Sequence, residues 1–132
     1  MSHQNAYARH SGQLLPLSEQ TTEVLPFTVR IARDEGALEK AIALRQSAYA
    51  RHVPEIARHL GAAEAYDHDP GSVVLLAESK LDGAPLGTMR IQTNMCGPLW
   101  LEQSVTLPDW LAGHALAEAT RPGVASASTG RG

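Results

Sequence analysis

Apolar and polar residues alternate through Phe27-Thr28-Val29-Arg30-Ile31, a pattern that predicts a strand. Asp34 follows as an N-cap, and a helix is expected over 35–51. Leu38, Ile42 and Tyr49 fall on one face of that helix. Arg45 falls on the same face, a charge inside an apolar stripe. Pro54 suits the first turn of a second, shorter helix, and Gly61 its end. The continuous apolar run over 72–78 has strand length and reads as a central strand. Asp82-Gly83 marks a turn, and Pro85 can only open the strand over 86–92. Leu86, Thr88 and Arg90 share one face of that strand, and Met89 and Ile91 the other. Gly87 is expected to let another backbone come close. The stretch 94–108, with Cys96 and Trp100, reads as a loop or broken segment. Pro108-Asp109 suits the start of one helical turn, and 115–121 fits helix and strand equally well.

This order predicts an α/β chain of the α+β type: a mixed, mainly antiparallel sheet with helices after the first strand. A doubly wound parallel sheet is excluded, because a hairpin follows the helical crossover. Residues 1–25 are polar and aperiodic apart from Leu14-Leu15-Pro16-Leu17, and are expected to form a flexible arm. Residues 122–132 are rich in Pro, Gly, Ser and Ala, and are expected to be a disordered tail. Between them, 26–121 forms the structured part.

Composition narrows the function classes. A length of 132 residues suits one domain with a modest core. The formal net charge of −3 argues against a nucleic-acid or membrane binder, either of which needs a basic surface. The lone thiol, Cys96, cannot close an internal disulfide and fits a reducing compartment. No apolar run approaches a membrane span, and the first residues lack the apolar core of a signal peptide, so a cytoplasmic location is expected. The six His residues show no metal-ligand spacing, and no base is evident beside Cys96, so neither a metal nor a cysteine nucleophile is expected.

Four features place charge where the pattern predicts burial or close packing. They are Arg45, the acidic group Glu64, Asp67 and Asp69, then Arg90 after Gly87-Thr88, and Glu118 with Arg121. An unpaired buried charge is costly, so these residues are expected to find one another, with the acidic loop supplying a carboxylate to Arg45. Each feature taken alone is equally well explained by a solvated side chain. Glu118 and Arg121 are three apart. They share a side on a helix and lie on opposite sides of a regular strand, so a strand here must bulge or serve two faces.

Taken in order, the runs LRQSAYARH, EAYDHD, VVLLAESKLDGAPLGTMRI and AEATR resemble the acyl-homoserine-lactone (autoinducer) synthases and the related N-acyl amino acid synthases, variants of the GNAT-type acyltransferase fold. The long interval between the first helix and the Asp-Gly turn is more similar to the N-acyl amino acid branch. The match runs from about Val29 to Arg121. Arg45 and Tyr49 match the family's Arg-x-x-x-aromatic pair, Glu64 and Asp67 its acidic residues, Gly87-Thr88-x-Arg90 its Gly-Thr-x-Arg, and Glu118-x-x-Arg121 its Glu-x-x-Arg. The resemblance implies transfer of a fatty acyl group from acyl carrier protein or acyl-CoA to the amine of an amino acid or related metabolite. It makes Glu118 the candidate base or amine-orienting carboxylate, and Arg45, Tyr49, Glu64, Asp67, Arg90 and Arg121 the substrate-side wall. It implies the acyl thioester as co-substrate and no permanently bound cofactor.

The family continues with a helix whose amides hold the carrier's phosphate, and with further strands. After Arg121 this sequence offers Pro122, Gly123 and a small-residue tail. The expectation is therefore the N-terminal half of such a domain, with turnover dependent on a missing carrier wall. The last strand would be an open edge for a homodimer. The competing expectation is a non-catalytic fragment, or a small-molecule binding module, that keeps the first half of the fold.

Overall fold

The computed structural model describes residues 7–10, 13–16 and 24–126. Two short strands, β1 (Tyr7–His10) and β2 (Gln13–Pro16), pair antiparallel. The sequence pattern gave no sign of this hairpin within the expected arm; the rest of 1–23, and 127–132, lie outside the described residues. The body is an α+β unit of strands β3 (Phe27–Ile31), β4 (Ser72–Ser79), β5 (Pro85–Thr93) and β6 (Ala117–Val124), with helices α1 (Glu35–His52), α2 (Pro54–Ala57) and α3 (Trp100–Ser104). A 3₁₀ turn, Ala65–His68, precedes β4. The sheet order is β3-β4-β5-β6, antiparallel throughout, with no mixed pairing among the described strands.

Local chemistry sets the boundaries. Asp34 caps α1: its Oδ1 accepts from the Ala37 N–H at 2.8 Å. Replacing that cap, Asp34→Ala, is expected to lower stability by about 1 kcal/mol, read as an earlier urea midpoint with unchanged slope. The second helix is shorter than expected, ending at Ala57 rather than near Gly61. Pro85 opens β5, as its missing N–H requires. The 94–108 loop contains the short helix α3, which five residues without strong periodicity did not announce.

α1 lies across one face of the sheet, against β4, β5 and β6. Its first half supplies Ala37, Leu38, Ala41 and Ile42 to a core closed by Val74 and Leu76 of β4. Its second half crosses β5 and β6, where the buried sheet residues are polar: Thr88, Arg90 and Gln92. The helix approaches closest at Gly123, where an added Cβ would stand 3.2 Å from the Arg45 Cα and 3.3 Å from the Ala48 Cβ. Gly87, the residue expected to admit a close backbone, would meet only ordinary contacts.

The last strand corrects one expectation and decides between two others. It runs through Pro122 to Val124 instead of stopping at Arg121. Pro122 is tolerated because β6 is an edge among the described strands. The strand also bulges. Arg90 pairs with Thr120 and Thr88 with Gly123, so three steps on β6 match two on β5. Arg121 occupies the extra position with φ 53°, in the left-handed region that non-glycine residues avoid. Among the described residues no helix is long and apolar enough to cross a membrane.

Candidate functional site

The bulge puts Arg121 on the α1 side of the sheet, the face that also carries Arg90, Gln92, Glu118 and Thr120. The 3₁₀ turn delivers two carboxylates to the same place. Asp67 takes hydrogen bonds from both Arg45 terminal nitrogens, at 3.1 and 2.9 Å, in a bidentate clasp. The Arg90 Nη1 donates to Asp67 at 2.9 Å and to Glu64 at 3.0 Å. Arg121 clasps Glu64 through Nε at 2.9 Å and Nη2 at 3.0 Å. The Glu64 N–H donates back to the Asp67 Oδ2 at 2.7 Å, which tightens the turn.

This cluster grades from dry to wet. The Arg45 and Asp67 side chains are wholly enclosed, Arg90 is 4% exposed, and Glu64 and Arg121 are 25% and 31% exposed. Burial pushes the Asp67 carboxyl up, but the hydrogen bonds from Arg45, the Glu64 N–H and Arg90 outweigh it and hold it at about 2. Glu64 is held below its usual range, first by the Arg121 hydrogen bond, against burial and with help from Arg90. Arg121 is raised mainly by Glu64, with Tyr49 adding to the effect. Three guanidiniums face two carboxylates here, so the cluster holds one positive charge in excess, and Arg121 is its most accessible member.

Two partners escaped sequence reasoning. The Gln92 Oε1 accepts from the Arg90 Nε at 2.9 Å and from the Thr120 hydroxyl at 3.1 Å, fixing the Arg90 fork in plane. The signal was present, since Gln92 lies two residues beyond Arg90 on the same strand face. The Tyr66 ring lies 5.5 Å from the Arg90 Cζ, within cation–π range.

The eight residues singled out in the sequence thus divide. Arg45, Glu64, Asp67, Arg90 and Arg121 form one connected ion-pair cluster, with Tyr49 beside Arg121. Glu118 sits outside it, opposite Gln92 in register and half-buried. Its Oε1 is enclosed and has no hydrogen-bond partner among the described residues. Asp69 turns away, accepting from the Gly71 N–H at 3.0 Å as an ordinary turn residue.

No protein-family model, curated protein or solved structure matches the chain.

On the far side of Tyr49, a mostly apolar groove of about 320 Å³ lies between the C-terminal half of α1 and β6. Ala48, Tyr49, Val53, Pro122 and Gly123 line it, together with the polar side chains Arg51 and His52. Chemically, the arrangement combines a fixed cationic fork, an unengaged carboxylate oxygen and an apolar slot. Among the described residues no cluster of three metal-ligating side chains occurs.

Proposed function

We propose that this chain carries an N-acyltransferase-type site, which moves a fatty acyl group from acyl carrier protein or acyl-CoA to the amine of an amino acid or related metabolite in the cytoplasm. The observation that carries the reading is the unpartnered Glu118 Oε1 on the same sheet face as a cationic cluster with one unbalanced positive charge. Acyl transfer to an amine needs a neutral nucleophile, so a base must accept its proton. Glu118 is that base, because its enclosed oxygen has no competing donor to displace. Arg121 suits the acceptor's carboxylate or the oxygen that gains charge as the thioester is attacked. Its Nε and Nη2 are held by Glu64, which fixes the direction of its remaining N–H groups. The apolar groove beside Tyr49 and Pro122 suits the first carbons of an acyl chain. Arg45 and Asp67, being fully enclosed, act as a strut that holds Arg90 and Glu64 in place.

A second reading is a small-molecule binding module without turnover. It is favoured by the closure of the cluster on itself, since every carboxylate in it is already paired. Incubation with acyl-CoA and acyl carrier protein thioesters plus mixed amino acids separates the two. The first reading predicts thiol release matched by an N-acyl amide in the mass spectrum. Binding of an amino acid without any amide, from either carrier, selects the second.

A further inference from the structure

The sheet face opposite α1 has no cover among the described residues. Its outward positions, at alternate residues of the four strands from Phe27 to Val124, hold no charged side chain. Several are well exposed: Val29 at 57%, Val73 at 36% and Val124 at 65%. A continuous apolar face of this kind marks an interaction surface on a water-soluble body.

The pairing register gives this face relief. One row across the sheet reads Val29, Ala77, Gly87, Val124, high at its ends and low in its centre. The next row reads Ile31, Leu75, Met89, and carries large side chains through its centre. The hollow over Ala77 and Gly87 therefore adjoins the ridge of Leu75 and Met89. A two-fold axis crossing the strands between these rows sets each ridge into the partner's hollow, twice over. A two-fold along the strands would set hollow against hollow.

We infer that this chain pairs with a second copy through the α1-distal sheet face, Leu75 and Met89 of each copy seating over Ala77 and Gly87 of the other. Two aligned sheets then share a core about 10 Å thick. Four strands about 4.8 Å apart, each five to six residues deep, present roughly 350–400 Å² in projection. With side-chain relief, two such faces bury on the order of 1,000 Å², the scale a specific interface requires. Edge pairing through β6 is the poorer route, because the Arg121 bulge and Pro122 interrupt its outer ladder.

Light scattering across a concentration series tests the pairing on the full chain. The expected mass is twice the 14.1 kDa of one chain. Val73→Lys, at an exposed position, should halve that mass with an unchanged circular dichroism spectrum, and should remove any concentration dependence of the melting temperature. Ala77→Leu should halve it too, because it fills the hollow although it adds apolar surface. Non-specific apolar association would instead strengthen with Ala77→Leu, and that result overturns the proposed packing. A wild-type chain that is monomeric at every concentration overturns the pairing itself. So does one that dimerises only after residues 1–23 are removed, since that result assigns the face to the N-terminal segment.

Discussion

Asp67→Asn should destabilise the fold more than any other single polar substitution, by about 3–5 kcal/mol. Asp67 is fully enclosed and accepts from Arg45 and Arg90 together. The neutral amide leaves two buried guanidiniums facing a single remaining carboxylate, and it points N–H groups at donors. A domain of this size has about 5–15 kcal/mol in total, so a large share of the stability would go. Urea denaturation should show an earlier midpoint at similar slope. Arg30→Ala is the control. It breaks the 2.7 Å ion pair with Glu78, but Arg30 is 43% exposed, and solvent takes its place. Its midpoint should scarcely move. Equal effects from the two variants would place the Asp67 cluster among ordinary surface pairs.

Glu118→Gln should abolish acyl transfer while sparing the fold. Loss of a positioned general base costs about 10²–10⁴-fold in kcat. The Glu118 Oε1 makes no hydrogen bond in the folded chain, so the amide removes none there, and the melting curve should be nearly unchanged. The KM for the amine should move little. A variant with wild-type turnover would remove Glu118 from the chemistry. One that loses activity only because it unfolds would make Glu118 structural.

Much of the frame was legible from pattern. The expected helix over 35–51 corresponds to α1 at Glu35–His52, and the strand over Phe27–Ile31 is β3. Arg45 in an apolar stripe required a carboxylate, and the acidic loop supplies Asp67. The α+β class followed from a hairpin after a helix. The family resemblance is a different matter, because it rests on motif order alone and no relative supports it.

Other features were hidden for physical reasons. The Glu118–Arg121 spacing allowed a bulge but did not place it, because Arg121 rather than a glycine takes the left-handed position and a tertiary ion pair to Glu64 holds it there. Pro122 reads as a strand end, yet an edge strand has outward N–H groups that need no partner. Alternation in β5 revealed two faces but not which one meets α1. The usual rule would turn Met89 and Ile91 to the helix, whereas the polar side, Thr88, Arg90 and Gln92, is the buried one. Paired charge made that inversion tolerable, and it left the apolar side open. The β1–β2 hairpin and α3 are too short for periodicity to register.

The central claim is that groups distant in the chain converge beneath α1 and act on one another there. A pH titration of the Asp67 carboxyl carbon by NMR tests it directly, with no substrate needed. Asp67 should titrate at about 2, against about 4 for an aspartate in an unfolded chain. The folded value is the lower one, so its stabilising contribution is complete above about pH 4 and drains away as pH falls toward 2. Unfolding followed by fluorescence should track that window. A titration near 4 in the folded chain would mean that Arg45 and Arg90 do not reach Asp67, and would contradict the cluster and the acyl-transfer site built on it.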